Sequence, residues 1–485
     1  MPRLLSRNLP AVEIRDLPEP RPLWLLLGPG VIILATSLGS GETYFWPGIT
    51  MKYGFTLLWP ALIAFSLQYV LNTEFARYTI ATGETVVTGF TRLWRPLAWF
   101  FLAAATLPWL WPGWSMGGAS ALSWVVDGRP ELIAAISLIV TGVALSGTRV
   151  VYQAVERIEK ALLLYIVIAV GIVCITVVGG DSVRALGEGL TTVPTSLPPD
   201  LSFSTLLAAL AFCGAGGSIN LAVSHWVRDK DMGMAAHVPR VTSPLTGAEI
   251  PVGAEGYFFE PTDGNLERWQ GWWRVTRREH MITFLGMGLI GLILLMLASH
   301  SLLYGRDLPF GLEMLQAEGE AIGQRTAGGM TIAFYLAVAA VFFTSAVGVL
   351  DHVARLSADI LKMNVVSIRG SRSRYLSESA LYFVFLWLMI AFALVVLFVG
   401  NIRDAPTLLQ IAGSLSGIVM FVYSLFTIPL MLTLARDAEA ADRRFARVNP
   451  FRLPRWRLAA LALAVVFYGG FSVLLVVNLV RDYMG

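Results

Sequence analysis

The side chain of Glu42 is the group in this chain whose type and position point most directly to chemistry. It follows Gly39, Ser40 and Gly41 inside the first apolar segment, where a carboxyl group is costly unless it is paired or functional. There it can bind a cation as a hard oxygen ligand, or it can carry a proton. The alternative is that Glu42 caps the helical segment that follows it, because the helix dipole favours a carboxylate at that end.

A second glycine-rich stretch, residues 213–220, interrupts a later apolar segment. Its small or polar members that could contact a substrate are Gly214, Gly216, Gly217, Ser218 and Asn220. Glycines that interrupt a membrane helix free N–H and C=O groups, which hydrocarbon does not tolerate unless they line a cavity. Interrupted helices at corresponding places in two halves of a chain are typical of a transporter's binding site. We therefore expect both stretches to bind substrate, with Glu42 and Asn220 as the ligands of a metal ion.

Four further residues are candidates for gating or for a proton path. They lie near the ends of two apolar segments and are His225, Asp351, His352 and Arg355. A histidine can change its charge near neutral pH. Asp351 and Arg355 are spaced i, i+4 and can pair on one helix face. The alternatives are an interfacial position for His225, and either a purely structural ion pair or a substrate site for Asp351 and Arg355.

The composition indicates a membrane protein. Of its 485 residues, 56% are hydrophobic and 14% are charged, and the mean hydropathy is +0.66, whereas soluble domains carry about 25% charged residues. Cys174 and Cys213 both lie in apolar segments, which gives no indication of a disulfide framework or a zinc site. Because no P-loop, catalytic triad or HExxH pattern is found, we expect neither an enzyme nor an organic cofactor. The net charge of +3 does not indicate a nucleic-acid partner.

Eleven apolar segments are long enough to span a bilayer. They are residues 23–48, 56–78, 97–126, 131–147, 152–179, 201–227, 280–303, 327–353, 379–400, 406–434 and 457–480. The fold class that they predict is an all-α polytopic membrane protein.

The segments divide into two groups of five within one transmembrane domain, residues 23–485. Residues 23–179 form the first candidate repeat, residues 201–434 form the second, and the helix at 457–480 is extra. Since each repeat has an odd number of spans, the second must insert inverted, with helices 1 and 6 broken.

The basic residues predict the orientation of the chain. If the polar tail 1–22 is cytoplasmic, 29 of the 36 lysines and arginines lie on that side. This bias places the N-terminus inside and the C-terminus outside. The long loop 228–279 is then cytoplasmic, and its Trp- and Arg-rich part is typical of an interfacial helix, with a regulatory role as the alternative.

Several short motifs resemble the Nramp family of divalent-metal transporters, which have a LeuT-like fold. They are Gly28-Pro29-Gly30, Ala76-Arg77 followed by Thr82-Gly83-Glu84, Arg157-Ile158-Glu159-Lys160, and Asn220-Leu221. Their order and spacing extend the likeness over most of residues 23–434. The resemblance implies a secondary transporter whose substrate is a divalent cation.

The likeness departs from the family pattern at the substrate site. Counted from Gly28-Pro29-Gly30, the family's metal-binding Asp falls on Gly39 and its Asn falls on Glu42. In the sixth helix, the methionine ligand falls on Gly217 and the histidine on Ile219, and only Asn220 is retained. The resemblance therefore implies a site of oxygen ligands, with less preference for soft metals.

Three functions remain open from the residues alone. The first is a secondary transporter of a divalent cation that works by alternating access. The second is a proton- or sodium-coupled carrier of a small organic solute such as an amino acid, because Gly39-Ser40-Gly41 resembles the glycine-rich break of amino-acid transporters. The third is a non-transporting membrane sensor, which the long loop favours. The expected partners are the lipid bilayer and a small ion or solute.

Overall fold

The computed structural model describes residues 1–147, 151–193, 197–238, 256–326, 328–366, 377–399 and 405–484. The central part of the long loop, residues 239–255, lies outside this description. The regular secondary structure of the described residues is helical except for two short strands, β1 (Glu13–Ile14) and β2 (Tyr257–Phe258), which pair in parallel.

The described part of the first half of the chain contains ten α-helices. They are α1 Leu23–Leu26, α2 Pro29–Ser37, α3 Trp46–Tyr53, α4 Leu58–Thr82, α5 Val86–Leu93, α6 Pro96–Thr106, α7 Gly113–Ser123, α8 Pro130–Gly147, α9 Val151–Val177 and α10 Gly180–Thr191. A π-helix, Leu38–Phe45, joins α2 to α3, and 3-10 turns form at Arg3–Ser6 and Leu107–Trp109.

The described part of the second half contains nine more. They are α11 Phe203–Ala211, α12 Ile219–Asp229, α13 Asp263–His280, α14 Gly288–Leu303, α15 Leu312–Arg325, α16 Gly328–Leu361, α17 Glu378–Val399, α18 Ala405–Ala441 and α19 Arg455–Met484. The π-helices Met281–Met287 and Lys362–Val366 and the 3-10 turns Gly233–His237 and Arg443–Ala446 complete the helical elements.

Seven helical stretches among the described residues are long and apolar enough to cross a membrane. They coincide with the fourth, fifth and seventh to eleventh predicted spans. The third and sixth spans are interrupted, so none of their pieces reaches that length. The first is not broken as expected, because α2 continues through a π-helix into α3. The second span is the single helix α4 of 25 residues, which carries Glu74 and Arg77. The prediction of an all-α polytopic membrane fold is confirmed.

The two predicted breaks take different forms. The first is eight residues of π-helix, in which the helix widens without unwinding; such segments are frequent at functional sites. The second is a turn between α11 and α12. There Gly214, Gly216 and Gly217 have φ of 105°, 72° and 49°, a region that glycine adopts without a steric penalty.

Helix α16 forms the centre of the bundle. Of its most apolar 18 residues, 78% are buried, compared with 28–50% for the other six membrane-length stretches. It packs against α2, α7, α9 and α17 and against the π-helix of the first break. Residues on α16 are therefore placed to contact both halves of the molecule.

The N-terminal residues 1–22 pack on one end of the bundle. Leu5 and Leu17 are buried, and the Leu17 N–H donates to Asn265 Oδ1 at 3.0 Å. The Trp272 indole donates to the Pro18 carbonyl at 2.7 Å. We call this end, which carries the C-terminus of α12 and helix α13, the loop face.

The Trp- and Arg-rich part of the loop forms α13, which continues through the π-helix Met281–Met287 into α14. It therefore extends the seventh span and is not a separate interfacial helix. Trp269 and Trp272 are buried, because the N-terminal residues and the segment before α19 cover them.

Candidate functional site

Glu42 lies where the two breaks meet. Its side chain is fully buried, and its Oε1 accepts a hydrogen bond of 2.9 Å from the backbone N–H of Gly214. Its second oxygen, Oε2, has no hydrogen-bond partner among the described residues. A buried carboxylate oxygen without a donor is costly, so this atom is available to a ligand.

Gln68 on α4 satisfies the backbone of the second break. Its Nε2 donates to the carbonyl of Cys213 at 2.7 Å and, more weakly, to that of Ala211 at 3.3 Å. Its Oε1 accepts from the N–H groups of Ala215 and Gly216 at 3.0 and 3.2 Å. One amide side chain thus replaces the helical hydrogen bonds that the glycines interrupt.

Asn220 belongs to the same cluster. Its Nδ2 donates to Gln68 Oε1 at 3.2 Å and to the hydroxyl of Tyr423 at 2.7 Å. Its Oδ1 has no partner in the described part of the chain, and the same is true of the hydroxyl of Ser416 on α18. The cluster therefore combines one carboxylate with neutral oxygens.

The glycines of both breaks are sites of close packing. A Cβ on Gly41 would lie 1.5 Å from the carbonyl oxygen of Phe212, and one on Gly217 would lie 2.5 Å from Ser416 Oγ. A Cβ on Gly214 would lie 2.8 Å from Gln68 Oε1. The missing side chains bring the backbones together, and the space directly beside these three glycines is occupied.

Ser218 links the second break to α16. The Trp109 indole donates to Ser218 Oγ at 2.7 Å, and Ser218 Oγ lies 3.2 Å from His352 Nε2. His352 Nδ1 lies 3.1 Å from the Gly348 carbonyl. This sequence of contacts suits a neutral imidazole with its proton on Nδ1, so that Ser218 donates to Nε2.

Trp109 and Trp114 lie inside the bundle. Both are buried, and their rings stack with centroids 5.2 Å apart. The interruption of the third span at Leu107–Pro112 turns them inward, beside His352 and Phe212.

Asp351 and Arg355 pair as their spacing predicted. Arg355 Nε donates to both oxygens of Asp351 at 2.8 and 2.7 Å. The Trp226 indole and the Tyr382 hydroxyl also donate to Asp351, at 3.1 and 2.8 Å. Arg355 makes a second ion pair with Asp229 at the end of α12. All five side chains are buried.

A second group of charges continues this network across the loop face. Arg228 pairs with Asp359 on α16 and with Glu378 at the start of α17. His225 is fully buried, not interfacial, and its Nε2 lies 3.2 Å from Asp359 Oδ2. The Thr85 hydroxyl donates to the same Asp359 oxygen at 2.6 Å. Together, the two groups join α12, α16 and α17 at the loop face.

The structure thus divides the predicted site residues into two clusters. Glu42, Gly214 and Asn220 meet around Gln68, whereas Asp351, Arg355 and His225 belong to the charge network. Gly39 and Ser40 lie in the π-helix, and beyond that backbone assignment they fall outside the described residues.

Sequence analysis missed Gln68, Tyr423 and Trp109. Gln68 could have been identified from the sequence, since a buried amide in an apolar segment requires hydrogen-bond partners. It also missed Glu159 on α9, which is fully buried with neither carboxylate oxygen hydrogen-bonded among the described residues.

The Gly28-Pro29-Gly30 motif has a structural explanation. Glu279 on α13 accepts hydrogen bonds from the N–H groups of Gly28 and Gly30, at 3.5 and 2.9 Å. A carboxylate in this position satisfies free N–H groups at the start of α2 and is favoured by the helix dipole.

No group of three or more His, Cys, Asp or Glu residues in the described ranges could hold a metal ion. The side-chain oxygens near the junction of the breaks that have no partner among the described residues include Glu42 Oε2 and Asn220 Oδ1. Such oxygen ligands suit Mg²⁺, Ca²⁺ and Mn²⁺.

No protein-family model and no curated protein matches this chain. Solved structures of the manganese transporter of Eremococcus coleocola do match it. A histidine-to-alanine variant of that transporter has a TM-score of 0.64 and 14% identity, with 99% of this chain and 92% of that chain covered. A complex with an aromatic bis-isothiourea compound has a TM-score of 0.64, 13% identity and the same coverage.

A glutamate-to-glutamine variant of the same transporter has a TM-score of 0.65 and 14% identity over the same shares of the two chains. Together with the apolar helices, this likeness makes the chain an integral membrane protein. The chain has the fold of the Eremococcus coleocola manganese transporter.

Proposed function

We propose that this protein is a secondary transporter that moves a divalent metal cation across the membrane by alternating access. The observation that carries the proposal is a pair of buried oxygens, Glu42 Oε2 and Asn220 Oδ1, that have no hydrogen-bond partner among the described residues. They lie where the π-helix of the first span meets the turn between α11 and α12. Interrupted helices expose ligands near the midplane of transporters. The fold shared with a manganese transporter supports this interpretation.

Each residue of the cluster has a distinct role in this proposal. Glu42 supplies the negative charge, and Asn220 supplies a neutral oxygen. Gln68 is a positioning residue, because it holds the backbone of residues 211–216 in the shape that places Gly214 against Glu42. A site with these ligands favours hard or intermediate cations such as Mn²⁺ over Cd²⁺.

The packing of the glycines argues against an organic solute. A carrier of amino acids needs space beside the breaks, whereas here Phe212, Gln68 and Ser416 occupy the space next to Gly41, Gly214 and Gly217. A cation needs only the oxygen atoms that the cluster already provides.

We place the loop face in the cytoplasm, because 29 of the 36 basic residues lie on that side in the predicted topology. The charge network around Asp351, Arg355 and Arg228 then closes the cytoplasmic path. Opening this path requires α12 to separate from α16 and from α17, and each separation exposes charged side chains that water can solvate.

The test is uptake of Mn²⁺ into proteoliposomes that contain the purified protein. Glu42→Gln should abolish uptake, whereas Glu42→Asp should retain part of it because the charge remains. Glu318→Gln is the matched control, since Glu318 is also a buried carboxyl group but lies on α15, away from the site. Uptake by Glu42→Gln at the wild-type rate would refute the proposal.

A further inference from the structure

A cavity of about 400 Å³ opens at the loop face, between the end of α4, helix α13 and the start of α19. Neither the transport proposal nor the charge network uses it. Five arginines line it: Arg77, Arg274, Arg277, Arg452 and Arg457. None of the lining residues is acidic.

The positive charge of this arginine pocket is only partly compensated. Glu74 on α4 pairs with both Arg77 and Arg457 and neutralises one of the five charges. In the described part of the chain, no carboxylate pairs with Arg274, Arg277 or Arg452. Arginine stays charged in proteins, so the pocket keeps an excess positive charge.

Aromatic rings hold the guanidinium groups in place. Three guanidinium carbons lie close to the centroid of the Trp273 ring. The distances are 5.1 Å for Arg77, 5.4 Å for Arg277 and 4.9 Å for Arg457. Cation–π contacts of this kind orient a guanidinium without neutralising it. Arginines that are fixed before binding lose less entropy when they bind an anion.

A buried donor of the pocket also lacks a partner. Arg77 is 3% exposed, and its Nε has no hydrogen bond among the described residues, although its NH1 donates to the Arg452 carbonyl at 3.0 Å. An unpaired guanidinium N–H in a buried position is costly. A bound anion would satisfy it.

The position of the pocket along the helices indicates the kind of anion. Helix α13 continues into α14, and α19 begins at Arg455. Both run into stretches that are apolar enough to cross a membrane. The pocket therefore lies where these membrane helices end, at the depth of lipid headgroups. Trp273 and Trp456 fit this depth.

We infer that the arginine pocket binds a phosphate group, presented by the headgroup of an anionic phospholipid of the cytoplasmic leaflet. Arginine recognises phosphate through two parallel N–H···O bonds, and basic pockets on the cytoplasmic side of membrane helices bind such headgroups. The bound phosphate would join α4, α13 and α19, of which α4 and α19 are already linked through Glu74.

The experiment titrates the full-length protein, purified in a neutral detergent, by calorimetry. The probes are dioctanoyl phosphatidylglycerol, dioctanoyl phosphatidylcholine and inorganic phosphate. Phosphatidylglycerol should bind saturably, and phosphatidylcholine should bind at least about tenfold more weakly, because its headgroup has no net charge. Inorganic phosphate that binds with equal affinity and competes would identify soluble phosphate as the source of the same chemistry.

Variants assign the binding to the pocket. Arg274→Ala/Arg277→Ala should weaken phosphatidylglycerol binding roughly 100-fold, about tenfold for each charge-assisted contact. Both side chains are exposed, so folding should persist, and gel filtration checks it. Arg278→Ala is the matched control, since Arg278 lies on the same helix and is exposed but does not line the pocket.

Arg274→Lys/Arg277→Lys should bind with intermediate affinity, because lysine keeps the charge but cannot make the paired contact. Binding that is unchanged in the double alanine variant, or that Arg278→Ala weakens equally, would overturn the inference. So would the failure of both phosphatidylglycerol and inorganic phosphate to bind.

Discussion

The backbone N–H of Gly214 donates a hydrogen bond of 2.9 Å to the carboxylate of Glu42, and this contact joins the π-helix of the first span to the turn between α11 and α12. The contact uses only one carboxylate oxygen, and the other has no partner among the described residues. In the proposed function, Glu42 therefore combines a structural contact with a ligand position, and a cation bound to its free oxygen would act on both segments at once.

Gly41→Ala should destabilise the protein strongly. The added Cβ would lie 1.5 Å from the Phe212 carbonyl, so the two breaks must separate, at a cost of about 1–3 kcal/mol or more for overpacking. Thermal unfolding in detergent measures this. Gly171→Ala is the control, since nothing lies within 4 Å of its added Cβ and alanine favours the helix. An equal unfolding temperature for both variants would contradict the packing described here.

Gln68→Met should unfold at a lower temperature than wild type and should bind Mn²⁺ more weakly. The change keeps the size of the side chain but removes the partners of two N–H groups and two carbonyls of the second break. Each buried polar group left unpaired costs about 1–3 kcal/mol.

Gln68→Glu at acidic pH provides the matched comparison, because its protonated carboxyl keeps the acceptor for Ala215 and Gly216 and has one O–H donor for the Cys213 carbonyl. It should lie between wild type and Gln68→Met in unfolding temperature. If Gln68→Met binds Mn²⁺ as wild type does, Gln68 does not position the site.

Asp351→Asn and Arg355→Gln should each cost about 3–5 kcal/mol of unfolding free energy, because each removes one partner from a buried charge of the network. The double variant should lose less than the sum of the two. A double-mutant cycle of urea unfolding measures the coupling. Asp442 and Arg444 form an exposed pair and should show almost no coupling. If the losses of unfolding free energy at Asp351 and Arg355 are additive, the two residues do not stabilise the protein as a pair.

The ion pair between Lys52 and Asp200 predicts a pH dependence at the face opposite the loop face. Lys52 Nζ lies 2.8 Å from Asp200 Oδ2, and this hydrogen bond lowers the pKa of Asp200 and raises the pKa of Lys52. Since the pKa of Asp200 is lowered, the contact persists through neutral pH. The contact is lost as the pH falls through the lowered pKa of Asp200, below about 4.

Spin labels at Thr56 and Leu197, next to the pair, measure this effect. The distance distribution should stay narrow from pH 7 to about 5 and broaden below about 4. In Asp200→Asn it should be broad already at pH 7 and should not change with acid. A distribution that broadens equally in both proteins would have another cause.

The apolar segments and the glycine-rich stretches were sufficient to predict the helical membrane fold and the places of both breaks. The position of the second break can be predicted from its glycines, because few other residues adopt the φ values of Gly214, Gly216 and Gly217. The backbone conformation of a break cannot be predicted from the sequence, because it depends on which groups replace the helical hydrogen bonds. At the second break this is Gln68, which lies 143 or more residues earlier in the chain than the groups it contacts.

The charge network was only partly predictable for the same reason. Asp351 and Arg355 share one helix, so their spacing predicted the pair. Asp229 and Glu378 come from other elements, and only the tertiary packing brings them to Arg355 and Arg228. The roles of His225, His352 and the pair in gating or proton movement stay predictions.

Binding of Mn²⁺ to the purified protein, measured by electron paramagnetic resonance, tests the role of Glu42 most directly, with wild type, Glu42→Gln and Glu318→Gln compared side by side. Wild type and Glu318→Gln should each show one saturable site, and binding should be about 100-fold weaker or lost in Glu42→Gln. A Glu42→Gln protein that is folded and binds Mn²⁺ with the wild-type affinity would contradict the assignment of Glu42 as the cation ligand.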